Sequence, residues 1–262
     1  MTSYCLLADL KTYLNVTTNT DDALMQVLLD AATARIDSFT GRSFQAAADT
    51  SRGFDSSWDV FSGMLWLDED LSYITSVING DTENITASIF HNPRNATPYY
   101  SLGIKTSSSD YWTYTTDTQD AITVTGRWAY MERENITALS RSSNVVTATV
   151  KAPRLSVGQT VFVVGCADDT FNGAFTVVSN TGSAVTWAQT ASNDTDTTAV
   201  LLFTPVDIVQ ACRRLAAWLY RQKDTQSGDQ DRPILAGDGT IIMPSTLPSD
   251  ITSLLRPYMK TM

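Results

Sequence analysis

Residues 204–223 read TPVDIVQACRRLAAWLYRQK, with apolar side chains at Ile208, Val209, Cys212, Leu215, Ala216, Leu219 and Tyr220. Intervals of one, three and four place these on one helical stripe and leave no room for a strand. Thr204 suits the cap, Pro205 the first helical position, where a missing N–H costs nothing, and Asp207 the positive end of the helix dipole. Arg221 and Lys223 suit the other end. Arg213 and Arg214 point away from the centre of the stripe and Trp218 lies at its margin. The spacing therefore predicts one buried face and a second, cationic and aromatic face. Solvated helix surface is the common role of such arginines; contact with a partner is the functional one.

Upstream, Leu6, Leu10, Tyr13 and Leu14 predict a short helix ending near Asn15. A second helix starts at Thr20-Asp21-Asp22, repeats Met25, Leu28, Leu29, Ala32, Ile36 and Phe39 on one face, and stops at Gly41. From about 50 to 130 the helical period gives way to short runs that predict strands: Met64–Leu67, Ile74–Ile78, Ala87–Phe90, Tyr111–Tyr114 and Ile122–Thr125, with an edge piece at Tyr99–Leu102 and a turn at Asn79-Gly80-Asp81. Trp58, Trp66, Trp112, Trp128 and Tyr130 are expected to pack in that β core. Residues 140–199 predict strands at Val145–Val150, Thr160–Val164, Ala174–Ser179, Ala184–Ala188 and Ala199–Phe203, and Asn172-Gly173 marks a tight turn. Helical patterns on both sides make this segment an inserted small all-β domain.

Residues 224–245, rich in Gly, Asp, Gln and Ser, predict a loop or arm, and 248–258 a helical turn or two with Ile251, Leu254 and Leu255 on one side, stopped by Pro257. The expected fold class is α+β. N-terminal helices and a long C-terminal helix form a core with β segments (1–139 and 200–223), carrying the inserted domain (140–199) and a C-terminal arm (224–262).

A chain of 262 residues buries a core without staples. Cys5, Cys166 and Cys212 form no metal or disulfide pattern and suit a reducing compartment. No signal peptide and no membrane span are expected. The net charge of −10 argues against gripping nucleic acid, yet an acidic wall lets duplex DNA slide past. His91 is the sole histidine, so no triad or His-based zinc set exists, and no GxSxG, P-loop or GxGxxG occurs. Asp68-Glu69-Asp70 could hold a cation or cleave glycosides, although acidic trios in turns are mostly solvated. Asp224–Asp231 lacks the final Glu of a calcium loop. Neither a cofactor nor an enzymatic activity is expected.

Several stretches, in order, resemble the head-to-tail adaptor (head-tail connector) proteins of long-tailed bacteriophages: Asp9-Leu10-Lys11-x-x-Leu14, Asp21-Asp22 to Ala31-Ala32, and Ile36-Asp37-x-x-Thr40-Gly41-Arg42-x-Phe44. Leu65-x-Leu67, Ile74-x-Ser76-Val77 and Ile122-Thr123-Val124-Thr125-Gly126-x-Trp128-Ala129-Tyr130 follow. Pro205, Asp207, Ile208, Ala211, Leu215, Ala216, Tyr220 and Arg221 are similar to the family's later helix, and Leu247-Pro248 with Leu254-Leu255-x-Pro257-Tyr258 to its end. Smaller adaptors lack the segment 140–199.

The resemblance implies a structural virion protein at the head-tail interface, assembled in the host bacterial cytoplasm. It would form a homo-oligomeric ring, usually twelvefold, under the portal protein, extend the channel for double-stranded DNA and receive a stopper or tail-completion protein. Arg213, Arg214, Trp218 and Arg221 are the expected inter-subunit contacts, since Trp and Arg dominate interface hot spots. By family analogy Ile251, Leu254, Leu255 and Tyr258 would dock on the portal, and Asp at 254 and 255 would block docking and leave the subunit folded. Two other readings are a carbohydrate- or host-surface-binding module centred on 140–199, and a hydrolase using Asp68, Glu69 or Asp70.

Overall fold

The computed structural model describes residues 3–151, 153–197, 199–222, 234–235, 241–242 and 247–260. The chain divides into two units, Met1–Gly41 with Val206–Met262, and Arg42–Pro205.

Among the described residues the first unit holds four α-helices: α1 (Leu7–Leu14), α2 (Asp22–Thr40), α3 (Val206–Gln222) and α4 (Ser249–Leu255). The α1 helix closes on Asn15 in the left-handed conformation (φ 58°), and α2 closes on Gly41 (φ 67°), whose N–H reaches the Asp37 carbonyl at 2.8 Å. Met25, Leu29, Ala32 and Ile36 are buried on α2, and Ile208, Cys212, Leu215 and Ala216 on α3. These stripes meet, α3 packing against α1, α2 and α4. The Tyr220 hydroxyl donates to Asp21 at 2.5 Å, so that carboxylate ties α3 to the start of α2. Of the stretch 224–245, a two-strand ladder of Ile234–Leu235 with Ile241–Ile242 is described; the rest of the expected arm loop lies outside the described residues.

Among the described residues the second unit is built from fourteen strands in two sheets. The first sheet contains β1 (Thr50–Phe54), β2 (Val60–Phe61), β3 (Met64–Ile78), β4 (Ile89–Asn92), β5 (Tyr99–Ile104) and β6 (Ile122–Trp128), all paired antiparallel. Its order is β1-β6-β3-β5-β4, with β2 folded on the start of β3. Residues Ile122, Val124 and Trp128 alternate inward along β6 and meet Phe54, Leu71, Val77 and Leu102. Gly126 is required there: a Cβ would lie 2.0 Å from the Tyr73 carbonyl oxygen, where β3 shifts register against β6.

The second sheet contains β7 (Glu132–Ile136), β8 (Ala138–Ser142), β9 (Val145–Thr149), β10 (Thr160–Val164), β11 (Gly173–Asn180), β12 (Ala184–Ala188), β13 (Asp194–Asp196) and β14 (Ala199–Phe203), in the order β13-β8-β9-β12-β11-β10-β14-β7. The β10 and β14 strands are apolar runs because both faces are covered. Val161, Val163, Leu201 and Phe203 enter a core with Phe171 and Trp187; Phe162, Val164, Val200 and Leu202 enter another with Met131 and Tyr73 of the preceding chain.

The α+β expectation is thereby corrected: the chain is mostly β. Among the described residues its helices are short, the longest being the nineteen residues of α2, and the C-terminal part holds a seventeen-residue helix and a seven-residue one in place of a long C-terminal helix. Weak alternation hid five strands, β1, β2, β7, β8 and β13, most of whose residues are polar or exposed in whole or part. Tyr111–Tyr114 is no strand; the Asn79 carboxamide pins it, donating to the Tyr111 carbonyl at 2.8 Å and accepting from Thr113 N–H at 3.3 Å. Thr204 does not cap a helix with its hydroxyl, which donates to the Phe44 carbonyl at 3.1 Å.

All three cysteines are buried and free, and burial pushes the Cys5 and Cys166 thiols up to about 12 and the Cys212 thiol to about 11. A disulfide reagent at pH 8 is therefore expected to leave them unmodified in the native chain and to titrate all three in urea. Fast native labelling of any of them would contradict this packing.

Candidate functional site

Two exposed surfaces stand out. The first is the outer face of α3. The Arg213 guanidinium stacks over the Tyr13 ring at 5.3 Å. Arg214 pairs with Asp250 at the start of α4. Arg214, Trp218 and Arg221 line a cleft of about 200 Å³ together with Tyr13, Pro248 and Ile251. The structure thus gathers three of the four expected contact residues of α3 and turns Arg213 toward a neighbouring ring. Arg221 is exposed and Trp218 half-buried.

The expected docking residues separate by burial. Ile251 and Leu255 are buried (1% and 0% exposed) where α4 packs on α3, whereas Leu254 and Tyr258 are half-buried, the Tyr258 hydroxyl donating to Asp207 at 3.3 Å. Leu255 is committed to its own unit. Asp at that position would put an unpaired carboxylate in the core, so the expectation that a 254/255 double Asp variant stays folded is corrected.

The second surface is the β2–β3 hairpin. Ser62 and Gly63 take positive φ (52° and 79°) between Phe61 and Met64, which face each other, as a two-residue hairpin turn requires. Around this turn Trp58, Phe61 and Trp66 are 86%, 72% and 50% exposed. Such a cluster of large apolar side chains marks an interaction surface. The Asp55 carboxylate fixes the approach to it, accepting from Ser57 N–H at 2.6 Å and Trp58 N–H at 3.1 Å; these bonds hold its carboxyl below the usual range. The expectation that the tryptophans pack in the β core holds for Trp128, stacked on Phe54 at 5.9 Å, and fails for Trp58 and Trp66. Sequence reasoning missed Phe61. Its signal is Phe61-Ser62-Gly63-Met64, a turn too tight to bury both flanks.

The acidic trio is spent on ion pairs. Asp68 and Glu69 bind Arg52 at 3.1 and 2.6 Å, and the Arg52 guanidinium lies over Trp128 at 4.7 Å. Asp70 pairs with Arg42, which sits over the Tyr130 ring at 5.2 Å. His91 stacks on Tyr99 with centroids 3.9 Å apart, and its Nδ1 lies 3.0 Å from the Pro93 carbonyl. Among the described residues no group of three or more His, Cys, Asp or Glu could hold a metal ion. In the segment 140–199 Phe162, Phe171 and Trp187 are buried and Phe175 stacks on Trp187 at 5.3 Å, leaving no exposed aromatic platform.

Residues 4–92 match the family of phage gp6-like head-tail connector proteins. The matched stretch runs from ahead of α1 through α2 to the end of β4. No curated protein matches the chain. Among solved structures, a chain described as "Neck of empty GTA particle computed with C6 symmetry" is similar over 99% of this chain and 91% of that chain, with 11% identity and a TM-score of 0.41.

Leu255→Ala is expected to lower the unfolding free energy by about 2–5 kcal/mol, read from the urea midpoint, with Leu254→Ala well below that. Equal effects would contradict the burial of α4. Asp70→Asn, which removes a carboxylate from a largely buried ion pair with Arg42, should lower the urea midpoint more than Asp68→Asn, which removes one from an exposed pair and should cost under about 1 kcal/mol.

Proposed function

We propose that this chain is a structural subunit of the phage head-tail junction, joining head to tail as one of a ring of copies beneath the portal. The match of residues 4–92 to gp6-like head-tail connectors carries this reading. On it, the chain resides in the virion and assembles in the host bacterial cytoplasm. Its partners are further copies of itself, the portal protein and a stopper or tail-completion protein. Double-stranded DNA passes through the ring without sequence-specific binding.

The exposed surfaces support the finer parts of the proposal. A cyclic ring needs two different patches on each subunit, one for either neighbour. The Arg214–Trp218–Arg221 cleft and the Trp58–Phe61–Trp66 hairpin are two such patches, one cationic and aromatic, the other apolar with Asp55 and Asp59 beside it. Both are rich in residue types that dominate interface hot spots. The net charge of −10 suits a wall past which a polyanion moves without sticking. Twelve copies is the number the family resemblance implies. Of the four expected docking residues, Leu254 and Tyr258 have surface left for the portal. The segment 140–199 would be an elaboration that this chain adds to the connector. The glycan-binding reading has no exposed aromatic platform in that segment to rest on.

The test is sedimentation of the purified 28.7 kDa chain alone and with portal rings. A ring, formed alone or on the portal, is expected. Trp218→Ala and Phe61→Ser should each weaken assembly by roughly tenfold or more with an unchanged unfolding midpoint. A chain that stays monomeric at high concentration and ignores portals would overturn the proposal.

A further inference from the structure

A cleft of about 440 Å³ opens beside the loop 93–98 that joins β4 to β5, lined among others by His91, Arg94, Asn95, Arg133, Glu134 and Asn135. The Arg133 guanidinium is held in place, donating to the Tyr99 hydroxyl and, at 3.4 Å, to the Asn135 side-chain carbonyl. Tyr99 in turn stacks on His91, so three groups of the lining brace one another. Arg94 is exposed and lies over the Phe90 ring at 5.0 Å.

Acidic residues outnumber basic ones 28 to 18, and Arg42, Arg52, Arg127, Arg141 and Arg214 each have a carboxylate within ion-pair distance. Among the described residues Arg94 and Arg133 make no such pair, although Glu134 lines the same cleft. The positive field is felt by His91: burial lowers its pKa, and Arg133 and Arg94 push it the same way, against the bond to the Pro93 carbonyl.

We propose that this cleft binds a phosphate group, held by the Arg94 and Arg133 guanidiniums with the Asn95 and Asn135 carboxamides beside them. Two guanidinium forks and two amides offer more donors than the two oxygens of a carboxylate can accept, whereas a phosphate presents up to four oxygens in a tetrahedron. The volume also exceeds what one carboxylate fills. A free phosphate or monoester and the phosphodiester of a nucleic acid share this chemistry.

His91 is the only histidine, so its Hε1 is the sole imidazole Hε1 signal of the full chain and reports on the cleft. Inorganic phosphate is expected to move that signal saturably and to raise the midpoint of its titration, because a bound anion favours the imidazolium. Arg94→Gln, at an exposed position that carries no core, should bind phosphate roughly tenfold more weakly, and Arg133→Gln likewise. Displacement of phosphate by a short DNA duplex, with a salt slope of about −1, identifies the phosphodiester as the source; phosphate binding that the duplex leaves untouched identifies a free phosphate. The proposal is overturned if sodium chloride or acetate at equal ionic strength gives the same shift, if only an acidic peptide gives it, if no shift occurs, or if Arg94→Gln binds phosphate like the wild type.

Discussion

Strands β10 and β14 are covered on both faces, and the β unit depends on how those faces are filled. Val161, Val163, Leu201 and Phe203 close the core of the eight-stranded sheet, while Phe162, Val164, Val200 and Leu202 turn the other way onto Met131 and Tyr73. Each such side chain contributes about 1.5–3 kcal/mol on burial, so the four facing Tyr73 together are of the order of a domain's whole net stability. Gly165, in the left-handed region at φ 79°, leaves room for this contact, since a Cβ there would lie 2.5 Å from the Tyr73 hydroxyl. A slip of one residue in either strand would exchange the two faces and empty both cores.

A frame fixed in this way can present large apolar side chains to solvent without losing its own packing. The β2–β3 hairpin does so with Trp58, Phe61 and Trp66, and its tight turn and the Asp55 carboxylate preorganise it. The helical unit does the same by another route. Its α3 stripe is filled by α1, α2 and α4, which frees Trp218 and Arg221 at the margin. Ion pairs and stacking secure the sheet edges: Arg52 bridges Asp68 and Glu69 over Trp128, and Arg127 binds Asp49 at 2.5 Å. The acidic trio is thus part of the sheet's architecture, which its sequence spacing alone could not reveal.

What the sequence disclosed follows from periodicity. The stripes of α2 and α3, the stop at Gly41 and the strands Thr160–Val164, Ala184–Ala188 and Ala199–Phe203 were legible because their burial patterns are strong. The balance of the fold was misjudged because a strong helical stripe outweighs weak alternation: Thr50–Phe54 and Asp194–Asp196 are mostly exposed polar residues whose partners lie far along the chain, at Ile122–Gly126 and Leu139–Arg141. The exposed aromatics were misread for a related reason, since Trp58 and Trp128 are alike in composition and differ only in which side of a sheet or turn they occupy. The cleft of Arg94 and Arg133 unites residues thirty-nine positions apart, and no local pattern announces it.

The most direct measurement is electron microscopy of particles from a phage that encodes this chain, with the gene interrupted and then restored in trans. DNA-bearing heads and separate tails, rejoined on complementation, are the expected result. Intact tailed particles in the absence of the chain would contradict a role in joining head to tail.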